Sequence, residues 1–311
     1  MFGATVRFGR NGFGRLLGAA LVVMSAAMTS CARDDDGPVI VVGAGDSAQA
    51  RVVAEIYAGA LARAGARTAV APDLGTRAEY LAALDAATIT VTSDDTGDLL
   101  RALHPDATAT APAKVLEGVY AALPEGLVVS DSAEGTDLRV TVAARTIENL
   151  PATLTDLAPR CADLRVGITT GPPTDPLRPA LDPDRDVREP LRNTYGCNLT
   201  QVTEYADDSA ARAALLSGDI QAAVLTVPPT FLPGPAPETL TTIADPDYAF
   251  RAQQVLPVLR KGALTGDQTR KLNYVAGELT TADLATMVRQ VRDDNASPAD
   301  LARAWLDAHA L

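Results

Sequence analysis

Short, continuous apolar runs alternate along this chain with stretches whose apolar residues return every three or four positions. Val39-Ile40-Val41-Val42 is a β-branched run closed by Gly43-Ala44-Gly45, which predicts a strand buried on both faces. Behind it Val52, Val53, Ile56, Tyr57, Ala60, Leu61 and Ala64 share one face of a helix, which Asp46 or Ser47 can cap and Gly65 stops. Thr68 to Ala71 predicts a second strand and Pro72 a turn. Arg77 to Ala86 then reads as a helix turning Tyr80, Leu81 and Leu84 inward, and Thr88 to Thr92 as a third strand. Strands alternating with helices imply βαβ units, a mostly parallel sheet and right-handed crossovers.

The pattern starts again after a boundary near Ala143 to Pro151. Leu164 to Ile168 predicts a strand, the proline-rich stretch from Gly171 to Pro190 a long loop, Asp208 to Leu216 a helix and Ile220 to Leu225 another strand. A second proline-rich loop, Pro228 to Pro237, precedes a predicted strand at Val255 to Leu259. Helices are expected around Leu272 to Leu279, Ala282 to Val291 and Pro298 to His309, the last capped by Ser297 with proline at its first position. Trp305, the only tryptophan, falls at helical spacing with Leu301 and Ala308 and reads as core.

The first thirty residues have a different grammar. Arg7, Arg10 and Arg15 precede an apolar run from Leu16 to Met28, and Thr29-Ser30-Cys31 follows. That is the charged region, short apolar region and small-residue cleavage site of a secretory signal peptide; the run is short of the ~20 residues that a spanning helix needs. A cysteine after two small residues resembles a bacterial lipobox, in which the thiol is acylated, so residues 1–30 are expected to be a signal peptide and 31–38 a lipidated Cys31 with a polar tether. Ordinary cleavage that leaves a free thiol is the alternative. Cys161 and Cys197 then remain as an even pair in an exported chain, and a disulfide between them is expected.

Charge narrows the partners. The 311-residue chain has a net charge of −12, and beyond Cys31 the balance is 24 basic against 39 acidic residues, a net −15. Such an excess repels phosphate backbones, so no nucleic acid is expected. Gly43-Ala44-Gly45 has Ala48 where a dinucleotide loop would carry its third glycine, and no cofactor is expected. His104 and His309 are the only histidines and neither lies near a Ser-x-Gly word or a cysteine, so neither a catalytic triad nor a metal site is supported and no enzyme is expected.

Several words in order resemble the substrate-binding protein of glycine betaine, choline and carnitine ABC importers. They are Val39 to Gly43 with Glu55-Ile56-Tyr57, Leu74 to Leu84, Thr96-Gly97, Tyr195-Gly196, Leu216 to Ile220, Pro257 to Lys261 and Leu272-Asn273. The resemblance implies an α/β, two-lobed type II periplasmic-binding-protein fold with two hinge-crossing strands and a ligand in the cleft. Lobe 1 would take residues 39–142 plus 246–311 and lobe 2 residues 143–245. It implies an extracytoplasmic protein, anchored outside the cell membrane through Cys31, that hands a small solute to permease and ATPase subunits.

The family's cation site is where this chain departs from it. Binders of this kind surround a quaternary ammonium with aromatic rings. Here Asp94 and Asp95 stand where the family has Glu-Tyr before Thr-Gly, Leu138 follows Asp137 in place of a tyrosine, Gln253-Gln254 replaces Tyr-Asn and Gly45 replaces a lysine. The inferred ligand-binding residues are Asp46, Ser47, Asp94, Asp95, Thr96, Asp137, Thr226 and Gln253, a polar and acidic set that rewards hydrogen-bond donors. A polar or cationic solute is therefore expected. Two alternatives stay open: Asp94 and Asp95 can serve as caps for a helix at Leu99 to Leu103, and the chain can be a degenerate, lipid-anchored sensor or scaffold that no longer transports.

Overall fold

The computed structural model describes Met1 and residues 37–234 and 238–311; the predicted signal peptide, Cys31 and the tether up to Asp36 lie outside the described residues. Residues 37–311 form one compact unit. In chain order its first part runs β1 (Ile40–Gly43), α1 (Ala48–Arg63), β2 (Thr68–Ala71), α2 (Arg77–Asp85), β3 (Val91–Asp95), α3 (Thr96–Leu103), α4 (Pro112–Ala122) and β4 (Leu127–Val129). The middle runs β5 (Thr141–Arg145), α5 (Leu154–Leu157), β6 (Arg165–Thr169), α6 (Glu189–Tyr195), β7 (Gln201–Tyr205), α7 (Asp208–Ser217), β8 (Ala222–Leu225) and β9 (Leu240–Ile243). It closes with β10 (Val255–Arg260), α8 (Gly266–Glu278), α9 (Thr281–Asp294) and α10 (Pro298–Ala308).

Two five-stranded mixed sheets result, ordered β2-β1-β3-β10-β4 and β7-β6-β8-β5-β9. Each has three parallel strands, joined by an antiparallel strand that arrives from a crossing: β10 beside β3 in the first and β5 beside β8 in the second. The chain thus forms two α/β lobes and crosses between them twice. The crossing segments lie side by side, with Ala133 donating to the Val255 carbonyl at 2.7 Å and Leu138 to that of Gln253 at 3.0 Å.

Burial explains which elements the pattern revealed. Strands β1, β3, β8 and β10 are covered on both faces and are almost wholly buried, so they read as continuous apolar runs or sit beside them. The edge strands β7 and β9 have several exposed positions, with sequences QVTEY and LTTI, and sequence pattern alone does not mark them. Strand β3 runs to Asp95, three residues beyond the expected end, because Thr90 already bonds the Val41 carbonyl at 2.7 Å and the pairing continues against β10. The proline-rich loop after β6 is likewise interrupted, by a wide helical turn at Pro183–Arg188 that Asp182 caps before α6.

Helices α8, α9 and α10 return from the C-terminus to cover α1, burying Val52, Ile56 and Leu61 with Leu272, Leu284, Trp305 and Leu306. Each such side chain contributes ~1.5–3 kcal/mol on leaving water. The other face of the first sheet is covered by α2, α3 and α4 through Leu84, Leu99, Leu100, Val115 and Val119. In the second lobe a core of Leu154, Val166, Ile168, Leu191 and Val224 encloses a disulfide between Cys161 and Cys197, whose Cα atoms are 5.4 Å apart.

Candidate ligand-binding site

In an open α/β sheet the carboxyl ends of the strands are where ligands are met. Strand β1 ends there in the loop to α1, whose N-cap is Ser47; its hydroxyl accepts from the Ala50 amide at 3.0 Å. Strand β3 ends there in Ser93-Asp94-Asp95 and passes directly into α3. From the second lobe the segment after β6 reaches across with Asp175, Leu177 and Arg178. These residues, with Gln49, Arg77 and Tyr80, line a cavity of about 20 Å³, room for about one water. The cleft is shut.

Its polar groups are paired in layers. Asp94 takes both Nε and Nη2 of Arg77 at 2.9–3.1 Å and the Tyr80 hydroxyl at 2.7 Å, and it accepts the Asp95 amide at 2.7 Å. It is fully engaged within its own lobe. Asp95 accepts from Gln49 Nε2 and from Arg178 Nη2, each at 2.8 Å. Arg178 Nη1 donates to the carbonyls of Leu138 and, at 3.2 Å, Thr226. One guanidinium therefore ties a carboxylate of the first lobe, a carbonyl of the hinge and a carbonyl of the second lobe. Arg77 reinforces the closure through the Leu177 carbonyl at 3.1 Å, and Arg101 meets Asp186 at 2.9 Å.

Electrostatics in this enclosure are dominated by burial. Burial pushes the Asp95 carboxyl up to about 6, against the lowering by Arg178, with Asp98, Asp94 and Asp175 adding to the rise. Burial also raises Asp175. For Arg178 burial acts against the charge, and the carboxylates of Asp95, Asp98 and Asp175 more than restore it. Tyr80, desolvated and bonded to Asp94, is held far above an ordinary phenol.

The sequence-derived residues fall in four places. Ser47, Asp94 and Asp95 line the cavity; Thr226 is outside the lining and meets Arg178 through its carbonyl, while its hydroxyl and amide bond Asp208. Thr96 and Gln253 lie at the α3 N-terminus: Thr96 Oγ1 accepts the Gln254 amide at 3.0 Å, and Gln253 Oε1 accepts the amides of Gly97 and Asp98 at 2.9 and 3.0 Å. The α3 amides are thus capped from the hinge, and Asp95, although at the N-cap position, makes no side-chain cap bond. Asp46 is exposed and fixes the Gly75 amide at 3.1 Å. It lines a neighbouring cavity of about 360 Å³ with Thr174, Phe231, Val288 and Arg292. Asp137 is exposed, paired with Arg139 and bonded through its amide to Thr281, away from the lining.

Arg178, Gln49, Arg77, Asp98 and Asp175 are the lining or supporting residues that sequence reasoning missed. Among the described residues that line the cavity, Tyr80 is the sole aromatic, and its hydroxyl is taken by Asp94. An aromatic cage is absent from this lining.

The model of the substrate-binding domain of ABC-type glycine betaine transport systems matches residues 38–308. The chain belongs to that family. Its members are solute-binding components of transporters, a class distinct from enzymes. The fold is similar to a solved protein described as a glycine betaine/carnitine/choline ABC transporter, with a TM-score of 0.71 and 15% identity over 87% of this chain and 98% of the other. It is also similar to apo YehZ from Escherichia coli, with a TM-score of 0.69 and 17% identity over 88% and 99% of the two chains. No curated protein matches the sequence. Among the described residues no helix is long and apolar enough to cross a membrane.

Proposed function

We propose that this protein is the extracytoplasmic solute-binding lipoprotein of an ABC importer, held at the outer face of the cell membrane by a lipidated Cys31. It captures a small polar or cationic solute between its lobes and delivers it to the permease. One observation carries this reading: the buried carboxylate of Asp95 in one lobe meets a cationic donor of the other lobe inside the cleft. A cleft so built closes on N–H donors, and contacts to both lobes favour the closed state that a permease can recognise. With Tyr80 committed to Asp94, a quaternary ammonium, which has no N–H to give, finds little here that rewards it.

A thermal-shift screen against polyamines, guanidines, amino acids, ectoines, choline and betaines tests it. A solute at about 100 times its Kd stabilises the native state by ~2.7 kcal/mol, and the stabilising solutes are expected among the N–H-bearing cations. A second reading, a degenerate binding protein acting as a lipid-anchored sensor or scaffold, is favoured by Arg178 already filling the cleft. Silence across the panel with a cooperative melt would select it.

A further inference from the structure

Arg178 is an unusual occupant of a binding cleft. It is 8% exposed and its donors are spread over three acceptors that belong to different parts of the molecule: Asp95 Oδ2, the Leu138 carbonyl and the Thr226 carbonyl. A carboxylate and two carbonyls around a planar fork of N–H groups form a cradle for a guanidinium, a shape that an ammonium matches poorly. The fit of Arg178 itself is incomplete, because its Nε is buried without a partner. So is the cradle's use. Asp98 is 5% exposed, its Oδ2 has no partner, and its charge acts on both Asp95 and Arg178. With Asp94 paired to Arg77, the carboxylates of Asp95, Asp98 and Asp175 all act on Arg178, and Asp98 is shared with Arg77 and Arg251. The enclosure is thus rich in carboxylates and keeps a buried acceptor, Asp98 Oδ2, that its own donors do not reach.

We propose that the cleft of this protein is a guanidinium site kept filled by its own Arg178, and that its solute is a small alkylguanidine, favoured when it carries a second cationic group, which displaces Arg178 from Asp95 on binding. The proposal rests on the solute-binding reading and names its ligand class. Arg178 then acts as a tethered competitor. It holds the lobes together in the absence of solute and lowers the apparent affinity by the fraction of molecules in which the cradle is free.

Titration calorimetry with methylguanidinium, methylammonium and tetramethylammonium on wild-type and Arg178→Ala protein tests the cradle. The variant is expected to take up methylguanidinium saturably and at least about tenfold more tightly than wild type, since the competitor is gone. Tetramethylammonium should not bind, and adding Asp95→Asn should abolish uptake. Equal uptake of tetramethylammonium and methylguanidinium, or uptake of neither, overturns the proposal. Displacement is read in the wild type, without reliance on the variant's stability, by the side-chain NMR signal of Arg178 during an agmatine titration. The signal should move as agmatine saturates; an unchanged signal at saturation, or a wild-type affinity for agmatine equal to that of Arg178→Ala, overturns displacement. If a quaternary amine saturates the wild type and leaves that signal in place, the guanidinium site falls while the importer reading stands. If guanidines bind but are not taken up by cells carrying the partner permease, the site stands and the importer reading falls.

Discussion

Arg178 of the second lobe donates to Asp95 of the first at 2.8 Å, with both side chains 6% exposed. The pair joins positions 83 residues apart and is the central polar contact of the closed cleft. Removing one partner leaves the other charge buried, which costs ~3–5 kcal/mol, whereas replacing both by apolar residues of similar size is often neutral. Arg178→Met is therefore expected to lower stability by roughly that amount, and Asp95→Leu/Arg178→Met to recover most of it. Urea denaturation of the two variants checks this.

Acidity acts on the same pair. Asp95 in the folded protein titrates at about 6 against an ordinary 3.8, so between those values the folded state binds more protons than the unfolded one. The stability contributed by this group is therefore gained as pH falls through about 6 and lost as pH rises through it. Affinity for a cation runs the opposite way, declining below about 6 as the carboxyl takes up its proton, by up to about tenfold per pH unit. Asp95→Asn should remove both slopes. Urea midpoints for wild type and variant between pH 4.5 and 7.5 isolate the difference, and a variant that keeps the wild-type slope would remove Asp95 as its source.

How much of this was legible in the residues depends on where each signal resides. The βαβ order and the buried strands β1, β8 and β10 follow from local periodicity, which burial on two faces makes strong; the residue types before α1 left its cap between Asp46 and Ser47, and the structure gives Ser47. The edge strands β7 and β9 carry polar residues on their exposed positions, so no apolar run marks them. Asp94 and Asp95 could be placed in the cleft because they precede Thr96-Gly97, which resembles the end of a family loop. Arg178 could not: it stands in a proline-rich segment with no periodicity, and what makes it functional is a carboxylate on the other lobe. Asp98 was hidden for a similar reason, since its hydrogen-bond partner Gln253 is 155 residues away.

The start of α3 depends on a close backbone approach. A Cβ on Gly97 would lie 2.5 Å from the Ala252 carbonyl oxygen, so Gly97→Ala must push the hinge segment away from the helix. Gln253→Leu leaves the Gly97 and Asp98 amides and an Asp98 oxygen without their partner, a loss of ~1–3 kcal/mol per unsatisfied buried group. Both substitutions should lower the melting temperature, read by circular dichroism, and Gln253→Leu should also weaken solute binding by displacing Asp98.

The second lobe has its own staple. The disulfide between Cys161 and Cys197 closes a loop with a sequence separation of 36, which in the chain-entropy model stabilises by ~3–4 kcal/mol. Paired Cys161→Ala/Cys197→Ala substitution should reduce the urea midpoint accordingly. A midpoint unchanged by substitution or by reductant would show that the core of Leu154, Val166 and Leu191 holds the lobe without it.

The most direct test of the central claim, that the interlobe carboxylates receive a donor-bearing cation, is titration calorimetry at pH 7.5 of wild type and Asp95→Asn with putrescine, agmatine and glycine betaine. The account predicts binding of at least one of the two amines and a loss of ~1.5–3 kcal/mol, at least about tenfold in Kd, in Asp95→Asn. Tight binding of glycine betaine with neither amine bound, or an amine bound equally well by both proteins, would contradict it.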